Sequence, residues 1–456
     1  MLNIIGRLRI SVDEGMTATK WRGSLRELLQ TRLYTNSVFL MGNSGVNGVL
    51  GFAFWVLVSR LYPVEAVGLG SALVSVALLL AFLASLGLGF GLTRFLPTNR
   101  VGGPRLINSC FTLSGTTAVL VTVAFLVGLP AWSPPLVFVR ENLSFSIAFV
   151  AFVAIRAIFN LLTPVYVARQ RAEFSMIQGT VMGGVRLAFA VVMASWLGAF
   201  GVFASWGLAS AIICGVGILL FLPRLEPGYR PVPRLWSRGG NKIVAFSFAN
   251  YISTGLWSSP VWLIPVIVLN LLGQEANAYS FISWAIAGHI FAIPLATSQS
   301  LFSAGSNQEQ LLGRDARRSL KFMVVLLIPA IVITIILADK LLLLFGKEYS
   351  VEGTKLLWIL TFSTLPTSVN LLYLGVARVR KQLRNIILVS AAMALLTLAL
   401  SYALIPFLGL VGPGVAWLTS NVLVALATFP GLLKVIVQNG PPLKVKNFTG
   451  ARPETP

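Results

Sequence analysis

The sequence is poor in acid: 14 Asp and Glu stand against 35 Lys and Arg in 456 residues, and no carboxylate falls in the interior of an apolar stretch. A cation buried in such a stretch therefore has no obvious counter-ion beside it. There are two cysteines, Cys110 and Cys214, both in apolar stretches, which implies buried thiols and neither a disulfide framework nor a metal site. No P-loop occurs, so ATP hydrolysis by this chain is excluded. The glycines Gly87, Gly89 and Gly91 follow an apolar span and not a strand, which points to close helix packing. Barrel-like alternation is missing, so spans must be helical. No cleavable leader is read at Met1 to Ile10, which is short and already carries Arg7 and Arg9.

What is present is apolar sequence. With 56% apolar and 11% charged residues, the chain reads as a polytopic membrane protein. Runs of about 20 apolar residues, the length that crosses a hydrocarbon core of roughly 30 Å, recur along it. Twelve spans are placed at 37–60, 67–93, 106–129, 143–168, 174–197, 201–223, 243–271, 278–304, 319–339, 354–377, 385–406 and 411–433. Residues 1–36 are basic, and Trp21, Leu25, Leu28, Leu29 and Leu33 share one helical face, so this segment is expected in the headgroup region. Charge tests the count. With a cytoplasmic N-terminus the outside loops hold five cations (Arg60, Arg140, Lys340, Lys347, Lys355), two lie within spans, and the remaining 28 of 35 fall on inside segments. This is the positive-inside asymmetry, which an odd number of spans would destroy. The basic excess thus records topology, with attraction to anionic lipid second, and implies no nucleic acid.

The chain repeats itself. Leu61-Tyr-Pro-Val-Glu65-Ala66 lies 210 positions before Leu271-Leu-Gly-Gln-Glu275-Ala276, Leu197-Gly198 to Trp206 lies 211 before Leu408-Gly409 to Trp417, and Ala168-Arg169 lies 209 before Ala377-Arg378. Three matches at a nearly constant offset indicate a duplication. Six helices per half keep both halves in one orientation, a parallel repeat with a substrate site expected between the halves. The expected architecture is an all-α integral membrane protein of about twelve transmembrane helices in two six-helix bundles, with both termini cytoplasmic. Residues 37–223 and 243–433 form the lobes, 224–242 the linker and 434–456 a disordered tail.

Arg156 and Arg186 are the two cations within spans, near the middle of the fourth and fifth. A cation at bilayer depth costs roughly 2.5–3.5 kcal/mol on insertion scales, so it normally faces a protein interior or a wet cavity. Arg156 shares a helical face with Asn160 and Thr163; Arg186 shares one with Gly179, Gly183 and Ala190. The structural alternative is that each caps carbonyls or pairs within the bundle. The functional one is a cavity for an anion such as phosphate or pyrophosphate, which guanidinium binds through planar, multidentate hydrogen bonds. Asn36, Asn43 and Asn47 stack on the first helix; Ser247, Asn250, Thr254 and Ser258 stack on the seventh, where Pro260 and Pro265 are expected to kink or break the helix. Interhelical hydrogen bonding explains either stripe equally well. His289, the only histidine, falls within the eighth span, either as a proton-sensitive group or, more ordinarily, as a hydrogen-bonded one.

Several motifs resemble the oligosaccharide and polysaccharide (O-antigen-type) flippases of the multidrug/oligosaccharidyl-lipid/polysaccharide exporter superfamily. They are Val58-Ser-Arg60-Leu-Tyr62-Pro-Val-Glu65-Ala-Val-Gly68, Ser85-Leu-Gly87-Leu-Gly89 leading to Thr93-Arg94-Phe95, Leu344-Phe-Gly346-Lys-Glu-Tyr349, and Ile405-Pro406 with Leu408-Gly409-Leu-Val-Gly412. The resemblance spans Asn36 to Lys434. It implies translocation of a polyprenyl-pyrophosphate-linked oligosaccharide across the plasma membrane by alternating access, without a cofactor and without enzyme activity. Membrane lipids and glycan-assembly enzymes would be its partners. It also implies a cationic cavity in the N-terminal half, a role Arg156 and Arg186 fit; their repeat equivalents Pro366 and Thr397 are uncharged. Asn43, Asn47, Asn160 and Asn250 would meet sugar hydroxyls, with Arg60 and His289 as further cavity candidates. Lipid II flippases of this superfamily carry fourteen helices, and its drug exporters commonly couple to cations through intramembrane carboxylates; this chain has neither feature. Export of another amphiphile or a drug is the alternative transporter reading, and a glycan polymerase or ligase the enzyme one.

Overall fold

A computed structural model describes residues 32–98, 102–194, 197–234 and 240–438. The interfacial segment expected before residue 32 and the tail after 438 lie outside the described residues. Twelve long helices follow in order: α1 Arg32–Leu61, α2 Val64–Ser85, α3 Gly103–Trp132, α4 Leu143–Ala168, α5 Glu173–Met193, α6 Gly198–Val216, α7 Gly240–Leu272, α8 Gln274–Asn307, α9 Leu312–Leu343, α10 Lys347–Val379, α11 Leu383–Leu408 and α12 Gly412–Gln438. A π-helical turn, Gly217–Phe221, carries α6 on to Leu225.

Among the described residues hydropathy and length alone find eleven spans, because Leu383–Val437 reads as one apolar stretch of 55 residues. A straight helix of that length would run about 80 Å, far more than a bilayer. Gly409 resolves the conflict: at φ 57° it takes a conformation that L side chains rarely adopt, and it opens the short turn Gly409–Val411 between α11 and α12. One expected boundary moves for a similar reason. The second span was expected to run through to residue 93, but consecutive left-handed residues Leu86 and Gly87 end α2 at Ser85 and turn the chain into a separate short helix, Leu88–Phe95. By contrast, α7 continues helically through Pro260 and Pro265.

The two halves pack alike. Helices one and five, two and three, two and four, three and four, four and six, and five and six of each half lie side by side, in α1–α6 and again in α7–α12. A parallel repeat requires this sameness. Between the lobes the contact is lopsided: α2 packs on both α7 and α8, whereas α1 scarcely meets α8. The lobes share a core at the C-terminal end of α1, where Phe54, Val58 and Tyr62 pack with Tyr279, Ile282, Phe345 and Tyr349.

At the opposite end of the N-terminal lobe a buried pair joins the exits of α4 and α6. Arg169 Nε donates to Glu226 Oε1, with both side chains largely hidden and Gly103 close beside them. The stretch of linker that follows lies on α3: Asn108 Nδ2 donates to Arg230 O at 2.7 Å and Arg234 N donates to Thr112 Oγ1 at 2.9 Å. Burial there pushes the Tyr229 phenol above its usual range. Glu226→Gln leaves Arg169 without its charge partner, which for a buried pair costs about 3–5 kcal/mol. The expected result is a lowered unfolding temperature in detergent with transport geometry otherwise retained.

Candidate functional site: a cationic cavity in the N-terminal lobe

Arg156 and Arg186 reach the same cavity. It has a volume of 290 Å³ and is walled by α1 through Asn43, Asn47 and Gly51, by α4 through Arg156, Phe159 and Thr163, by α5, and by Trp206 of α6. The small residues predicted beside Arg186 explain how α1 comes so near. A Cβ at Gly179 would lie 2.3 Å from both Asn43 Oδ1 and Asn47 Nδ2, and one at Gly183 would lie 2.4 Å from Leu50 Cδ1. Only glycine at these positions lets the asparagine stripe of α1 lie directly on α5.

The polar groups of α1 are tied together. Asn47 Nδ2 donates to Asn43 Oδ1 at 2.6 Å and to Asn43 O at 2.7 Å, and Asn43 Nδ2 donates to Ser175 Oγ at 3.4 Å. Two turns back, Asn36 Oδ1 accepts from the backbone N–H of Ala172, capping the α4–α5 turn. The arginines are handled differently. Among the described residues neither forms an ion pair or a hydrogen bond, and both Nε atoms are buried without a partner. Their guanidiniums lie against aromatic faces instead: Arg156 Cζ is 4.9 Å from the ring centres of both Phe159 and Trp206, and Arg186 Cζ is 4.5 Å from that of Phe54. Such contacts contribute about 0.5–2 kcal/mol each. They offset part of the roughly 2.5–3.5 kcal/mol cost of each cation at depth and leave its N–H donors unused.

The other candidate residues are placed elsewhere. Asn160 is half-buried and does not line this cavity, because the lining face of α4 runs through residues 156, 159 and 163. The side chain of Asn250 lies outside the described residues. His289 lines a separate space of 750 Å³ between α1, α8 and α9, where Nδ1 is 2.8 Å from Ala285 O and Nε2 3.5 Å from Gly48 O. Arg60 is about 13 Å further along α1 than Gly51. Its guanidinium donates to Leu344 O at 2.9 Å and Leu343 O at 2.6 Å, at the C-terminus of α9, where a cation is favourable. It ties the two lobes together at the end where they share a core. Arg60→Ala removes two hydrogen bonds from a charged donor, worth about 1 kcal/mol each at an exposed site. Thiol labelling of Leu343→Cys should become faster in that variant; the native cysteines are buried and contribute little background.

Gln178 is a cavity residue that helical spacing alone does not single out. It is 3% exposed, its amide oxygen and nitrogen both lack partners, and it follows the same face as Met182 and Arg186. A polar amide eight residues before an intramembrane arginine was the available signal.

No family model and no curated protein matches the chain. Solved structures do. A multidrug resistance MATE family transporter of the MOP superfamily in an inward-facing conformation superposes with a TM-score of 0.70, covering 86% of this chain and 95% of that one at 13% identity. The fold is that of the MATE transporters. An outward-facing structure of a transporter so described gives 0.59, over 88% of this chain and 95% of the other, at 15% identity. A MOP superfamily transporter from Pyrococcus furiosus, whose binding pocket is described as of reverse polarity and suggestive of a different function, gives 0.59 with the same coverage at 16% identity. The MATE fold places this chain among multi-pass membrane proteins built as two six-helix bundles. It does not extend to the narrower resemblance with oligosaccharide flippases, which rests on the sequence motifs alone.

Proposed function

We propose that the chain exports an amphiphile with an anionic head across the plasma membrane by alternating access. One observation carries this: two guanidiniums at mid-span share a cavity and have no carboxylate or hydrogen-bond acceptor among the described residues. A phosphate or carboxylate entering the cavity would gain both charge and multidentate donors. Asn43, Asn47, Gln178 and Thr163 supply neutral hydrogen-bonding groups around it. Alternating access is supported by the fold and by the lopsided seam. The lobes are joined by the shared core and Arg60 at one end, and the better superposition is with an inward-facing neighbour. With the N-terminus cytoplasmic, the joined end is the outer one.

The multidrug neighbours favour a drug or other amphiphile over a lipid-linked oligosaccharide as cargo. The latter is the second reading, favoured by the flippase-like motifs and by the amide groups beside the arginines. Leaflet-resolved transport in reconstituted vesicles separates them. A labelled polyprenyl-pyrophosphate oligosaccharide is offered in one arm and a fluorescent anionic amphiphile without sugar in the other. Transport of the second alone assigns amphiphile export, and transport of the first assigns the flippase reading. Transport of a cationic dye in preference to both would overturn the anionic site.

A further inference from the structure

The C-terminal lobe has a cavity of its own, against its first, second and sixth helices, where the cationic cavity lies against the first, fourth, fifth and sixth of the other lobe. Trp417 stands 211 positions after Trp206, and Trp257 stands 210 after Asn47. In the first lobe Trp206 and Asn47 wall the cationic cavity; in the second, Trp417 and Trp257 wall a cavity of 370 Å³ between α7, α8 and α12. The two spaces differ in chemistry. The face of Trp206 is covered by the Arg156 guanidinium, whereas Trp417 is surrounded by rings: Trp284 at 5.3 Å and 79°, Phe291 at 5.9 Å and Trp257 at 6.1 Å. Among the described residues no charged side chain lines the second cavity.

We propose that this cavity binds an uncharged, planar aromatic compound that carries a hydrogen-bond acceptor. Its volume falls within the range of about 300–1,000 Å³ typical of small-molecule sites, which are likewise mostly apolar with few polar groups. Its aromatic walls favour edge-to-face and offset contacts with another ring. The indole N–H groups of Trp284 and of Trp417, the latter 3% exposed, have no acceptor, and an indole can only donate. A compound with a carbonyl or ether beside its ring fits that pair. An anion belongs instead to the arginine cavity, and a cation finds no carboxylate here. Space is available next to Gly288, where an added Cβ meets nothing within 4 Å. The site stands independently of the transport reading.

Benzophenone tests it, being uncharged, doubly aromatic, a carbonyl acceptor and its own photolabel. Irradiation of the full chain in lipid nanodiscs, followed by peptide mapping, is expected to give saturable adducts on segments containing Val261, Leu295 and Trp417. Gly288→Leu fills the cavity and should abolish these adducts, while Gly184→Leu, at another open glycine away from the cavity, and Arg156→Ala should leave them. Trp417→Phe keeps a ring but removes the N–H, and should raise the half-saturating concentration about fivefold, the worth of one ordinary hydrogen bond. Adducts spread over the lipid-facing helices and indifferent to Gly288→Leu would overturn the site. Unchanged saturation in Trp417→Phe would overturn the acceptor requirement.

Discussion

Export by the double variant Arg156→Ala, Arg186→Ala is expected to fall to background while the protein still inserts and elutes as a single species. Each arginine costs the folded bundle the removal of a guanidinium from water, which the one aromatic face at Arg186 repays in part and the two at Arg156 repay more fully. Deleting them therefore should leave the unfolding temperature unchanged or raise it. The single variants separate their shares. Arg156 contacts two rings and Arg186 one, so Arg156→Ala gives the smaller thermal gain. Conservative Lys at either position keeps charge but loses the planar fork, and should lower affinity for a phosphate-bearing cargo without abolishing transport. The readout is leaflet-resolved transport beside a thermal melt. Full transport with both arginines gone sinks the anion site; loss of transport together with a large fall in melting temperature would assign them a structural task instead.

The second large effect is expected at Gly68. Its Cβ position lies 1.9 Å from Gln274 O and 2.7 Å from Gln274 C, so even alanine forces the backbones of α2 and α8 apart. The same crossing holds a buried hydrogen-bond pair, Asn277 Nδ2 donating to Gly68 O at 2.7 Å and to Ser71 Oγ at 3.2 Å. Overpacking of this kind costs about 1–3 kcal/mol, and a displaced buried amide adds about as much again. A loss of roughly 3 kcal/mol shifts a two-state equilibrium more than a hundredfold. Gly68→Ala should therefore depopulate the arrangement in which the lobes close at the outer end of α1. Spin labels at Leu61→Cys and Leu344→Cys, both exposed, should report a longer distance in Gly68→Ala than in the parent, together with slowed transport. An unchanged distance would show that this crossing does not hold the lobes together.

The resemblance between the lobes was legible in the sequence at three places, and the structure extends it to the packing order of all six helices. The differences between the lobes were less legible. That Pro366 and Thr397 replace the arginines can be read from the offset. That aromatic rings fill the space around Trp417 cannot, because Trp257, Trp284 and Phe291 come from two helices whose rotation no linear pattern specifies. Asn160 shows the same limit on a smaller scale. It satisfies helical spacing with Arg156, yet the neighbouring residue Phe159 faces the cavity and Asn160 does not.

By itself the sequence determined that this is a helical membrane protein of two repeated halves, how many long helices it has and in what order, and that two cations lie at depth without acid nearby. These follow from length, hydropathy and charge, which act along the chain and sum residue by residue. The tertiary structure alone decided that the two cations share one cavity while Arg60 and His289 lie elsewhere, that glycines on α5 admit the asparagines of α1, and that the lobes close at one end. Those depend on how helices turn about their axes and meet partners up to 284 residues away, and a contact of that kind is set by three-dimensional packing, which no local pattern encodes.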